Sequence, residues 1–234
     1  MKKHIPNFIT LLNLISGFIA IIMVIENQMI IASYLIFIAV LFDFLDGFVA
    51  RFLNTHSPIG KSLDSLADLV SFGIAPGVII YHSVNIPAME ERQYLFLMIS
   101  SLIPVFGAIR LAIFDNDQTQ KSVFRGLPVP AAAILIVSLV LIWNDNPDFM
   151  IPYTQTSLIS ISLIASMLMV IPIRMLSIKF KSLKLKDNML RYSFLFLCLT
   201  MLILFKTKGI FYGIILYVLI SVVLNVIPTK IENL

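Results

Sequence analysis

Long apolar runs separated by short polar segments dominate the chain. A membrane-spanning helix needs about 20 predominantly apolar residues, and eight runs reach or approach that length. They cover residues 6–25, 29–53, 61–82, 94–114, 128–144, 156–173, 189–206 and 209–227. The fifth run is short and begins at Pro128-Val-Pro130. The pattern predicts an all-α, polytopic membrane helix bundle of about eight transmembrane helices, with six or seven as the alternative counts.

Composition supports this interpretation. Hydrophobic residues make up 59% of the 234 positions, charged residues make up 13%, and the mean hydropathy is +0.97. A soluble domain with these values would expose too much apolar surface to water. We therefore expect a single integral-membrane domain over residues 1–234, with the first apolar run retained as a helix rather than cleaved as a signal peptide.

The basic residues predict the orientation. Cytoplasmic loops of membrane proteins carry an excess of Lys and Arg. With the amino terminus inside and eight spans, only Arg92, Lys206 and Lys208 of the 17 basic residues would lie outside. Both termini are then cytoplasmic in a multi-pass protein of the plasma or inner membrane. The formal charge of +4 does not indicate nucleic acid as a partner, because the most basic loop, residues 174–186, would rest on anionic lipid headgroups.

Four aspartates interrupt the second and third apolar runs, which form a hairpin over about residues 29–82. Asp43 and Asp46 share one helix face with Gly47 and Ala50, and Asp64 and Asp68 share a face with Gly60. A charge in hydrocarbon costs roughly 2.5–3.5 kcal/mol on insertion scales. Intramembrane ion pairing, for example between Arg51 and Asp46, cannot offset that cost, because one arginine cannot neutralise four acids.

Helix geometry predicts which acids face each other. At 1.5 Å per residue, Asp43 and Asp68 each lie about 12 Å from the hairpin connection, and Asp46 and Asp64 about 6–7 Å. We therefore expect two levels, with Asp43 opposite Asp68 and Asp46 opposite Asp64. Ligands that are all carboxylate oxygens favour Mg²⁺, Mn²⁺ or Ca²⁺ over zinc, and Mg²⁺ commonly binds a phosphate-bearing substrate as well. The small residues on these faces leave room for that substrate, although they also allow close helix packing.

These residues carry a family resemblance. The pattern Asp43-x2-Asp46-Gly47-x2-Ala50-Arg51-x8-Gly60-x3-Asp64-x3-Asp68 resembles, at every specified position, the signature of the CDP-alcohol phosphatidyltransferases. The resemblance implies two divalent ions, Mg²⁺ or Mn²⁺, that are held by the four aspartates and bind the pyrophosphate of a CDP-linked lipid. It also implies that Asp68 acts as general base, that Gly47, Ala50, Arg51 and Gly60 border the CMP portion, and that the protein is a homodimer.

The flanking segments resemble the serine-using branch of that family. They are residues 5–17, 68–77, 107–112 and 124–132, so the resemblance runs from residue 5 to about 133. It implies transfer of the phosphatidyl group from CDP-diacylglycerol to L-serine, with CMP released at the cytoplasmic face. The same chemistry with glycerol phosphate, an inositol compound or choline is the alternative.

A carboxylate-bearing acceptor needs a cation. Arg110 is the best-placed candidate, because a guanidinium can bind a carboxylate bidentately. It can instead bind the substrate phosphate or extend to the membrane surface. Lys121 and Arg125 can reach the same opening of the proposed site. Asp115, in contrast, is expected only to be solvated in a loop. A cation transporter is the remote alternative for the acids, and it predicts acids spread through the bilayer in inverted repeats.

Overall fold

The computed structural model describes residues 4–55, 57–84, 93–116, 125–145, 147–176 and 188–226. Over these ranges the chain is helical apart from short connections and one antiparallel bridge between Arg125 and Arg174. The helices are α1 (His4–Ile25), α2 (Met29–Phe52), α3 (Pro58–Asp68), α4 (Ala75–Val84), α5 (Gln93–Asn116), α6 (Val129–Asp145), α7 (Pro147–Val170), α8 (Met189–Phe205) and α9 (Thr207–Val226).

A π-helical segment, Leu69–Ile74, joins α3 to α4, so that Pro58–Val84 is one continuous helix. The described ranges then contain eight continuous helices, and each lies on one of the predicted apolar runs. Five are long and apolar enough to cross a membrane, whereas α6, α8 and the apolar part of α7 are shorter. The all-α, polytopic membrane architecture is confirmed. The number of complete crossings and the cytoplasmic placement of the termini stay predictions.

The sixth predicted run differs most from its helix. We expected it over residues 156–173, but α7 begins at Pro147 and ends at Val170. Proline is favoured in the first turn of a helix, so Pro147 can start α7 well before the apolar residues begin. The end is earlier than expected because Pro172 disfavours helical dihedral angles at Ile171.

Helix α1 is the central support of the acidic hairpin. It packs extensively against α2 and also against α3 and the π-helical segment, whereas α2 and α3 make few backbone contacts with each other. The buried face of α1 is polar in its first half and apolar towards its end, and consists of Pro6, Thr10, Asn13, Ser16, Gly17, Ala20 and Val24. The polar half of α1 therefore lies beside the aspartates, and α2 and α3 remain far enough apart to leave a cleft.

Gly17 allows α1 to approach the π-helical segment closely. A Cβ atom at this position would lie 2.6 Å from Cα of Ser71. Ser71 is fully buried and its hydroxyl donates a hydrogen bond of 2.9 Å to the main-chain oxygen of Asn13. The backbone that follows Asp68 is therefore fixed directly against α1.

Candidate active site

Three of the four predicted acids form one cluster. Asp43 on α2 and Asp64 and Asp68 on α3 each offer a carboxylate oxygen, and these oxygens lie within 4.8 Å of one another. Asp68 is 8% exposed, and Oδ1 of Asp64 is buried without a hydrogen-bond partner among the described residues. Carboxylates this close repel one another unless a cation neutralises them. The donor set is all oxygen, which fits a hard divalent cation.

Asp46 lies outside that group of three and faces α1 instead. Its Oδ2 accepts a hydrogen bond of 2.5 Å from the hydroxyl of Thr10, which also donates to the main-chain oxygen of Pro6 at 3.1 Å. Asp46 is 5% exposed and Thr10 is 3% exposed. The predicted division into two levels is therefore only partly right, because Asp64 joins Asp43 and Asp68 rather than forming a separate level with Asp46.

Helix α1 also orients an acid of the cluster itself. Nδ2 of Asn13 donates a hydrogen bond of 3.0 Å to Oδ1 of Asp68. Asn13 itself is fully buried.

A cavity of about 450 Å³ opens beside the acids, between α1, α2 and α3. All four residues expected to border a nucleotide line it: Gly47, Ala50, Arg51 and Gly60. The remaining lining residues are Pro6, Asn7, Thr10, Asp46, Thr55, Ser57, Pro58, Lys61 and Asp64. The sequence signature therefore describes one continuous surface, with two of its aspartates in the cavity wall.

The N-terminal cap of α3 and two glycines lie in the wall of this cavity. The Ser57 hydroxyl caps α3 by accepting a hydrogen bond of 3.0 Å from the main-chain nitrogen of Gly60. A Cβ atom on Gly60 would lie 2.9 Å from Oδ1 of Asn7, and one on Gly47 would lie 3.4 Å from a guanidinium nitrogen of Arg51. A larger residue at Gly60 would therefore displace the polar groups that line the cavity.

Arg110 is buried close to the acids. It is 7% exposed, its Nε has no hydrogen-bond partner among the described residues, and it interacts electrostatically with Asp68. Its guanidinium carbon lies 5.4 Å from the centre of the Phe114 ring. This burial contradicts the alternative in which Arg110 extends to the membrane surface. A cation with a free donor near the cluster is suited to binding an anionic group.

The other two candidate cations are less closely connected to the cavity. Arg125 is exposed, opposes Arg174 in the antiparallel bridge, and does not line the cavity. Lys121 lies outside the described residues.

The expectation for Asp115 was wrong. It does not lie in a solvated loop but in the last turn of α5, where it contacts α3. Its Oδ1 lies 3.5 Å from Nζ of Lys61, and its Oδ2 accepts a hydrogen bond of 2.7 Å from Ser65. The i, i+4 spacing of Lys61 and Ser65 on a polar helix face was the sequence signal for a shared partner, but it could not identify that partner on α5.

Comparison with known proteins identifies the family. The family model for the CDP-alcohol phosphatidyltransferases matches residues 3–175, which is most of the chain. The chain belongs to the CDP-alcohol phosphatidyltransferase family. Its match includes α1 to α7, and therefore all four aspartates, the cavity and Arg110. Membership in a transferase family also argues against the transporter alternative.

Several relatives carry serine in their names. The chain is 35% identical over 166 residues to the CDP-diacylglycerol–serine O-phosphatidyltransferase of Helicobacter pylori, an alignment that covers 70% of this chain and 68% of the relative. It is 35% identical over 168 residues to the archaetidylserine synthase of Methanothermobacter thermautotrophicus, with 70% and 66% covered. It is 36% identical over 142 residues to the Bacillus subtilis CDP-diacylglycerol–serine O-phosphatidyltransferase, with 61% and 78% covered.

Proposed function

We propose that this membrane protein transfers the phosphatidyl group from CDP-diacylglycerol to L-serine and releases CMP. The observation that carries the proposal is the placement of the family signature, whose small residues and Arg51 line one cavity directly beside the acid cluster. Serine as the acceptor is supported by the names of relatives from bacteria and archaea. Each of these names contains serine, whereas the lipid part of the name differs.

The acids would hold the metal. Asp43, Asp64 and Asp68 offer the closest set of oxygens, and Asp46 completes the set from the cavity wall. When bound there, two Mg²⁺ or Mn²⁺ ions would neutralise the acids and polarise the phosphoryl oxygens of the lipid substrate. Thr10 and Asn13 orient two of the carboxylates from α1, as outer-shell groups commonly do for metal ligands.

Asp68 is the proposed general base. The serine hydroxyl forms a new bond to the lipid-side phosphorus, the bond from that phosphorus to the CMP oxygen breaks, and the hydroxyl proton moves to the carboxylate of Asp68. Asn13 fixes this carboxylate through Oδ1. Burial of Asp68 excludes water, which would otherwise compete with serine as the acceptor.

Two binding regions follow from the charges. The CMP portion would be bordered by Gly47, Ala50, Arg51 and Gly60, because they line the cavity at the end of the hairpin where α2 connects to α3. Arg110 would hold the serine carboxylate near Asp68, since its buried guanidinium has an unpaired nitrogen. Lys121 and Arg125 remain candidates for guiding an anionic group towards the opening of the site. On the predicted topology the site faces the cytoplasm, and the family resemblance suggests a homodimer.

The proposal is tested by an acceptor panel. Protein purified in detergent is supplied with CDP-diacylglycerol and one acceptor at a time: L-serine, glycerol 3-phosphate, myo-inositol or choline. We expect CMP release with L-serine, its loss on chelation of divalent cations, and its return with added Mg²⁺ or Mn²⁺. Release of CMP with another acceptor and none with L-serine would refute the assignment of serine while leaving the family intact.

A further inference from the structure

Lys61 is a cation in the cavity wall to which the family signature gives no role. It lies three residues before Asp64 and seven before Asp68, so it shares their helix face and comes one turn nearer the start of α3. Its side chain is 55% exposed and lines the cavity. The charged residues of the cavity wall are thus two acids, Asp46 and Asp64, and two cations, Arg51 and Lys61.

A defined set of contacts holds Lys61 in place. Its Nζ lies 3.5 Å from Oδ1 of Asp115 and also donates to the main-chain oxygen of the same residue. Asp115 is 27% exposed and its other carboxylate oxygen accepts a hydrogen bond of 2.7 Å from Ser65. Asp115 is therefore the more fixed partner, whereas the lysine can rotate about its flexible stem.

Close packing of the helices does not explain these contacts. Helices α3 and α5 share few backbone contacts of their own, although the π-helical segment and α4, which continue α3, pack closely against α5. The side chains of Lys61, Ser65 and Asp115 extend the contact between these two long helices towards the start of α3. The same helix, α5, carries Arg110 five residues earlier. The link fixes the end of α5 relative to the acids of α3.

We propose that Lys61 binds a phosphate of the CDP-linked lipid, and that Asp115, held by Ser65, positions Lys61 for that contact. The inference rests on the proposed function, because it takes a CDP-lipid as the occupant of the cavity. An anionic substrate that approaches Asp46 and Asp64 needs compensating positive charge at the cavity wall. A lysine ammonium is a common phosphate-binding group and can exchange a carboxylate partner for a phosphate oxygen.

Equilibrium binding of CDP-diacylglycerol to the full chain, without serine, tests the direct contact. We expect Lys61→Gln to weaken binding about tenfold and Lys61→Arg to retain most of it. We expect Asp115→Asn to weaken binding about threefold through a less fixed lysine. Asp145→Asn is the matched control, because Asp145 also accepts an interhelical hydrogen bond, of 3.0 Å from Thr207, but lies outside the cavity; it should bind normally.

An exchanged pair separates phosphate binding from mere attachment of the helices. The double variant Lys61→Asp with Asp115→Lys keeps an ion pair between α3 and α5 but places a carboxylate in the cavity wall. We expect CDP-lipid binding to stay at least about tenfold weaker, and the KM for CDP-lipid to rise far more than kcat falls. Wild-type binding by the double variant would show that the residues only join the helices, and would overturn the inference.

Failure of this inference is distinguishable from failure of the proposed function. If the wild-type chain releases CMP with serine while Lys61→Gln binds CDP-diacylglycerol normally, only the role of Lys61 is refuted. If Lys61→Gln weakens CDP-diacylglycerol binding while the wild-type chain forms no CMP with serine, the phosphate contact stands and the assignment of serine as acceptor fails.

Discussion

Asn13 on α1 donates a hydrogen bond of 3.0 Å from Nδ2 to Oδ1 of Asp68 on α3. Both side chains are buried, and Ser71, in the π-helical segment that follows α3, donates a hydrogen bond to the main-chain oxygen of Asn13. The first helix therefore supports the carboxylate that we propose as the base. It supports the second acidic helix in the same way, through the bond from Thr10 to Asp46.

Replacing Asn13 should impair turnover more than folding. We expect Asn13→Ala to lower kcat about tenfold, because Asp68 loses the donor that orients it. Ser16→Ala is the control on the same helix face, since the Ser16 hydroxyl bonds the main-chain oxygen of Leu12 within α1. Steady-state CMP release and thermal unfolding in detergent measure both effects. Equal losses in the two variants would contradict a specific role for Asn13.

Replacing Thr10 should weaken the metal site. Thr10→Val keeps the shape of the side chain but removes the hydrogen bond to Asp46, so the Mg²⁺ or Mn²⁺ concentration for half-maximal activity should rise roughly tenfold. Thr10→Ser retains the hydroxyl and should stay near wild type. A metal titration of CMP release measures the difference. The prediction fails if the two variants require the same metal concentration.

Replacing Arg110 should raise the KM for serine more than the KM for CDP-diacylglycerol. We expect Arg110→Lys to raise the KM for serine about tenfold and to change the KM for CDP-diacylglycerol little, because an ammonium cannot bind a carboxylate bidentately. Arg174→Gln, which removes an exposed charge outside the cavity, is the control. Varying each substrate separately gives both constants. A larger change in the KM for CDP-diacylglycerol would indicate instead that Arg110 binds the substrate phosphate.

Replacing Gly17 should destabilise the bundle. A Cβ atom at Gly17 would collide with the backbone of Ser71, whereas a Cβ atom at Gly213 would lie an ordinary 3.6 Å from Sγ of Cys198. We expect Gly17→Ala to lower the free energy of unfolding by about 1–3 kcal/mol, and Gly213→Ala to be tolerated. Thermal unfolding of both variants in the same detergent provides the comparison. Equal melting temperatures would show that α1 and the π-helical segment can separate at little cost.

Hydropathy predicted the positions of the helices well because each apolar run must bury its backbone polar groups in its own hydrogen bonds. It could not predict the π-helical segment after Asp68, since the sequence Leu69–Ile74 is as apolar as a regular helix would be. The early start of α7 at Pro147 was missed because its first residues are not apolar enough to extend the run.

The acids of the site were predictable because their spacing places them on facing surfaces of one hairpin. The supporting contacts depend on helices that are distant in sequence. Thr10 and Asn13 were visible only as polar residues in an apolar helix, and serine or threonine in helices commonly bonds its own backbone. Thr10 does this and also reaches Asp46. The link from Asp115 to Lys61 required the position of α5, which no local pattern provides.

The most direct test of the account compares wild type and Asp68→Asn in serine-dependent CMP release, with CDP-diacylglycerol binding measured in parallel. The asparagine keeps an oxygen that can accept from Asn13 but cannot act as a base, and Glu26→Gln serves as an exposed control. We predict that kcat falls by at least about 100-fold while CDP-lipid binding changes less than about threefold. Nearly normal turnover by Asp68→Asn, or no serine-dependent CMP release by the wild-type chain, would contradict the account.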